Sequence, residues 1–171
     1  MGFLFFNLLL YLWTKTKANP RLGWLFPVVM FFWANMHGSF VLGLILLAFL
    51  SPFSLPLSLL ATLLNPNGFG VWQEAWRHFA GSDLSKLIAE WVPPGPSVWW
   101  LVMITAVLGI TRKIYVLPML ALAFLALKAR RHLPFYFSFY FYFLMVNPIF
   151  KRIAAELDRL LPKQNLAWLV L

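Results

Sequence analysis

The chain contains no cysteine, and only five of its 171 residues are acidic. Without cysteine there is no disulfide, no thiolate metal ligand and no thiol nucleophile. The acids also come late: Glu74 is the first, followed by Asp83, Glu90, Glu156 and Asp158. Any carboxylate chemistry on this chain rests on those positions. Charge of both signs is scarce, at 11% of residues, where an ordinary soluble domain carries roughly 25%. The sequence also lacks a Gly-rich phosphate loop and a Ser-His-Asp arrangement.

What is present is apolar: 62% of the residues are hydrophobic. A soluble globule of this size keeps much of its chain at the surface and has nowhere to hide so much of it. Lipid removes that difficulty. The composition therefore predicts an all-α, multi-pass transmembrane helical bundle of about four to six membrane segments. Residues 1–171 read as a single membrane-embedded region. The first 13 residues are apolar but have no basic flank and no small-residue cleavage site, so they read as a membrane segment and not a signal peptide. The formal net charge is +9. Its Lys and Arg sit in short clusters between apolar runs, the distribution of cytoplasmic loops and headgroup contacts. That pattern points to a lipid bilayer as partner, and nucleic acid is not expected.

Residues 22–50 lie within the longest run without a charge, which reaches from Leu22 to Gln73, and are expected to contain the best span, crossing once. Trp33-Ala34-Asn35-Met36-His37-Gly38 interrupts it with polar groups at membrane depth. Asn65-Pro66-Asn67-Gly68 is a strong turn signal. It opens an interfacial, outward loop region, 65–96. There Phe69, Trp72, Trp76 and Phe79 fall on one helical face with Gln73, Glu74, Arg77 and His78 between them, as in a helix lying in the interface. Runs 98–110 and 114–127 flank Thr111-Arg112-Lys113. Segment 133–150, nearly all aromatic from Phe135 to Phe143, suits a lipid-facing surface. Segment 149–161 is amphipathic, and 165–171 turns apolar again. With Lys15, Lys17 and Arg21 placed inside, this order puts Arg112-Lys113 and Lys151-Arg152 inside as well. Arg130-Arg131 then lies outside, against the positive-inside trend.

Four segments in this order resemble bacterial multi-spanning proteins related to the GT-C class of glycosyltransferases. They are Phe32-Trp33-Ala34-Asn35-Met36-His37-Gly38-Ser39-Phe40-Val41-Leu42-Gly43, Leu64-Asn65-Pro66-Asn67-Gly68, Glu90-Trp91 with Pro93-Pro94, and Arg130-Arg131-His132-Leu133-Pro134. The resemblance covers the middle-to-late part of such an enzyme and implies a fragment of a larger GT-C-like membrane domain. The activity it implies is transfer of a sugar from a polyprenyl-phosphate donor, on the outer side of the bacterial cytoplasmic membrane. It also implies a partner, either the missing part of the enzyme or another membrane subunit. Some relatives use a divalent ion, but no cofactor or metal site is read in these residues. The family's catalytic Asp lies in the first outward loop, and no acid occurs here before Glu74. The resemblance therefore implies a chain that is inactive alone. The alternative is a non-catalytic membrane scaffold, a lipid-binding component or a truncated gene remnant.

Within this frame the candidate site residues are few. Asn35 and His37 either line a substrate cavity in a broken helix or hydrogen-bond between helices beside the small residues Gly38 and Ser39. As a metal site, two ligands at i and i+2 are too few. Glu90 is the candidate general base for an acceptor hydroxyl, with Trp91 stacking on sugar; otherwise both belong to an ordinary interfacial loop. Arg130 and Arg131 either clamp a lipid phosphate or simply set topology. His132, beside two arginines, is expected to stay neutral.

Overall fold

The computed structural model describes residues 1–79, 88–109 and 113–160. Asp83, Arg112 and residues 165–171 lie outside them, as do the side chains of His78, Phe79, Lys113, Asp158 and Leu160. Helix accounts for 85% of the described residues and strand for none, so the fold is all-α. Among the described residues nine α-helices follow in order: α1 (Gly2–Thr16), α2 (Leu25–Met36), α3 (Phe40–Leu50), α4 (Leu55–Thr62), α5 (Gly70–Phe79), α6 (Pro96–Gly109), α7 (Lys113–Lys128), α8 (Leu133–Val146) and α9 (Pro148–Leu160). Prolines mark the starts. Pro56, Pro96, Pro134 and Pro148 stand in first turns, where the missing amide is one the helix would not use.

The expected single crossing of 22–50 is corrected. The run breaks at His37, whose backbone is extended (φ −161°, ψ 128°). The chain then reverses, and α2 and α3 form an antiparallel hairpin. Gly43 of α3 lies directly against Trp33 and Met30 of α2. Glycine is needed there because the Trp33 ring and the Met30 sulfur already occupy the space a side chain would take. Trp33 is fully buried and stacks on Phe5, with ring centroids 5.8 Å apart.

Pair contacts give the helices alternating directions. α1 and α8 run parallel: Phe6 meets Phe135, Asn7 bonds Ser138, and Trp13 lies beside Tyr142. α4 runs parallel to α2, with Asn35 bonded to the Leu64 carbonyl. α7 runs antiparallel to α8, since Tyr115, near the start of α7, packs on Tyr142 and Phe143. The bundle therefore has two distinct ends. One gathers Gly2, the His37 turn, residues 88–96 and Arg130–His132. The other carries Lys15, Lys17, Arg21, Lys151 and Arg152. Arg130-Arg131 thus sits at the end opposite Lys15, Lys17, Arg21, Lys151 and Arg152.

The aromatic run of α8 does not face outward as expected. Phe135, Tyr136, Phe139, Tyr140, Tyr142 and Phe143 are all buried. The reason is position: α8 is flanked by α1, α6 and α7, so most of its circumference meets protein. The Tyr136 hydroxyl finds partners inside, bonding the Val102 carbonyl at 3.0 Å and the Thr105 hydroxyl at 2.7 Å. In α5, Trp72 packs on Phe40 and donates to Thr62, while Trp76, and Phe69 just before the helix, stay exposed. The expected single face is thus divided between bundle and surroundings. No single helix among the described residues is long and apolar enough to cross a membrane; the segments Arg130–Val146 and Pro148–Leu157 pass together, bent by 72°.

Candidate functional site

The site grows from the broken hairpin. Trp33 Nε1 donates to Ser39 Oγ at 3.1 Å, and Ser39 Oγ lies 2.8 Å from His37 Nδ1. The Ser39 backbone N–H also donates to Nδ1, at 3.1 Å. A backbone amide only donates, so Nδ1 is an acceptor and the neutral ring carries its proton on Nε2. Burial lowers the His37 pKa, and the nearby Arg131 charge lowers it further. His37 is therefore a neutral imidazole with an N–H donor at Nε2. Ser39, read from the sequence only as a small residue beside His37, is the hub of this network. A hydroxyl six residues after a buried tryptophan was the available signal.

Above this turn sit the two later segments. The Arg131 guanidinium carbon stands 4.1 Å from the centre of the Trp91 ring, close enough for a cation–π contact. Burial lowers the Arg131 pKa, and Glu90 raises it; the guanidinium stays charged throughout the physiological range. Arg130 does something else. Its backbone N–H donates to the Val92 carbonyl at 3.1 Å and its Nε to the Pro93 carbonyl at 3.3 Å. It pins the proline segment, and the two arginines do not act as one clamp. Glu90 is exposed at the rim.

The structure thus brings Glu90, Trp91, Arg130 and Arg131 together, with His132 next in the chain and His37, from a third segment, near enough to feel the Arg131 charge. Asn35 is not among them. Its amide donates to the Phe31 and Leu64 carbonyls at 2.8 and 3.1 Å, fastening α2 to the end of α4. Of its two readings, the helix–helix bond is the one found. Beside the proline segment an apolar groove of about 440 Å³ is lined by Pro94, Pro96, Trp99, Trp100 and Met103. One cation, one imidazole donor, one aromatic face and an adjoining apolar groove suit an anionic headgroup carried on an apolar chain. No three His, Asp or Glu side chains gather into a metal site among the described residues.

His132 supplies a pH prediction. Its pKa is lowered from 6.5 to about 4, by burial first and by Arg131 second. Its Nδ1 is buried without a hydrogen-bond partner among the described residues. The unfolded chain takes up a proton here below about pH 6.5, while the folded chain refuses it until about pH 4. Stability is therefore full above that window and falls as pH drops through it, by about 3 kcal/mol at the acid end. Thermal unfolding in detergent should show Tm falling between pH 7 and pH 4, and His132→Gln should flatten that slope. An unchanged slope in the variant would remove His132 as its source.

No protein-family model matches the chain, and comparison with curated proteins and with solved structures returned no match.

Proposed function

We propose that the chain is a membrane-embedded helical bundle whose His37–Arg131 end binds the phosphate of a polyprenyl-phosphate lipid. In this reading it is the lipid-binding part of a GT-C-like glycosyltransferase. The convergence of His37, Trp91 and Arg131 from three distant segments carries the reading. The neutral His37 donor and the stacked Arg131 supply charge-assisted and neutral hydrogen bonds to phosphate oxygens. The groove at Trp99, Trp100 and Met103 is placed to take the first part of an apolar chain. Membrane embedding is supported by the outer surface: Ile104, Leu117 and Phe124 are 57%, 60% and 61% exposed. Aliphatic and aromatic surface of this extent is not left open in water. Among the described residues the longest helix, α7, has 16 residues; at 1.5 Å per residue it is about 24 Å long, short of the roughly 30 Å hydrocarbon core. Local thinning of the bilayer accommodates such a mismatch.

A non-catalytic lipid-binding component is the second reading. It is favoured by the exposure of Glu90, which stands at the rim of the cluster. Both readings share one topology, with the site end outside. The absence of cysteine makes the test clean. Val92→Cys, at the site end, and Ala18→Cys, at the basic end, both replace exposed residues. An impermeant thiol reagent on intact cells should label Val92→Cys and spare Ala18→Cys until the membrane is opened. The reverse pattern, or release of the protein by carbonate washing, ends the proposal.

A further inference from the structure

The last helix carries an apolar face that no described residue covers. In α9, Ile149, Ile153 and Leu157 recur every four residues on one side and are 53%, 49% and 52% exposed. Asn147 starts the helix by accepting the Ile149 N–H at 3.0 Å, and the turn at Pro148 swings α9 72° away from α8. Phe150 reaches back against Phe143, with ring centroids 6.4 Å apart, and α9 is held to the bundle through α8. Lys151 and Arg152 project from the remaining sides, at the end of the bundle that also holds Lys15 and Lys17.

We infer that α9 lies flat on the membrane surface at the basic end, its Ile149–Ile153–Leu157 face among the acyl chains, and that it selects an anionic phospholipid surface. The inference rests on the membrane reading above but concerns the opposite end of the molecule. A helix turned across the end of a membrane segment runs along the interface and not through it. An amphipathic helix in that plane buries its apolar face at the headgroup–acyl boundary and gains further from anionic lipid. A second copy fits the face poorly: a stable protein interface needs about 1,200 Å² or more, and three half-exposed aliphatic side chains supply a small part of that.

The full chain, carrying Ile153→Cys or Ala155→Cys on the opposite side of α9, would be labelled with an environment-sensitive fluorophore. It would be reconstituted in phosphatidylcholine vesicles with and without phosphatidylglycerol. A quencher attached to lipid acyl chains should quench the 153 probe several-fold more than the 155 probe. Phosphatidylglycerol should widen the difference, and Lys151→Gln with Arg152→Gln should abolish that widening. Co-flotation with vesicles while both probes are quenched equally overturns the inference and leaves the membrane reading standing. A 153 probe that is shielded from water yet untouched by the lipid quencher also overturns it, because protein then covers the face. Failure to co-float overturns both readings.

Discussion

Gly43→Leu is expected to abolish the native fold, and Gly43→Ala to destabilise it by about 1–3 kcal/mol, as overpacking of a dense core does. A Cβ at this position would lie 2.6 Å from Trp33 Cζ3 and 2.8 Å from Met30 Sδ. Neither neighbour can retreat cheaply. Both are fully buried, and Trp33 is held by its bond to Ser39 and its stack on Phe5. Moving Trp33 also releases Ser39, and with it His37, so the site is lost together with the hairpin. The measurement is detergent-solubilised yield and thermal unfolding, beside Gly38→Ala as control, where an added Cβ meets nothing within 4 Å. Wild-type stability for Gly43→Leu would mean that α2 and α3 do not pack as described.

The second large effect is on ligand affinity. Arg131→Ala is expected to weaken binding of a polyprenyl monophosphate by about 10- to 150-fold, the equivalent of about 1.5–3 kcal/mol for hydrogen bonds to a charged group. Arg131→Lys should recover part of the loss, because it keeps the charge but gives up the fork and the flat face that lies on Trp91. Arg130→Ala should act differently, loosening the Val92–Pro93 segment and lowering Tm more than affinity. Titration into nanodiscs, with the neutral polyprenol as control, separates headgroup from chain. Equal affinity for the phosphate and the alcohol, or equal losses for the two arginine variants, would dismiss Arg131 as the phosphate-binding group.

The contrast between these two arginines shows where sequence reading stops. Adjacent residues of the same type give no pattern by which one is assigned to a carbonyl tether and the other to an aromatic stack. The choice depends on where Val92 and Trp91 arrive, and those residues come from a segment nearly 40 positions away. Asn35 and His37 pose the same problem at closer range. Both are polar groups in an apolar run, and the sequence leaves each open to a cavity or to a helix–helix hydrogen bond. The break after Met36 turns one toward α4 and the other toward Arg131. The neutral state expected for His132 was legible because its cause, the adjacent Arg131, is local; its burial is the larger cause and was not.

By itself, the sequence determined the all-α class, the apolar outer character, the absence of thiol chemistry and the segments from which a site could be built. These follow from composition, from helical periodicity and from turn residues such as Asn65-Pro66-Asn67-Gly68, all of which act within a few residues of the chain. Only the tertiary structure decided that 22–50 folds back on itself, that the aromatics of α8 face inward, and that Ser39 holds the turn. Those outcomes depend on which surfaces meet. Phe139 and Phe141 are the same residue type two positions apart on α8; one is fully buried and the other is 57% exposed. The helix carries no mark of which neighbours will surround it, since burial is a property of the pair of surfaces and not of either one.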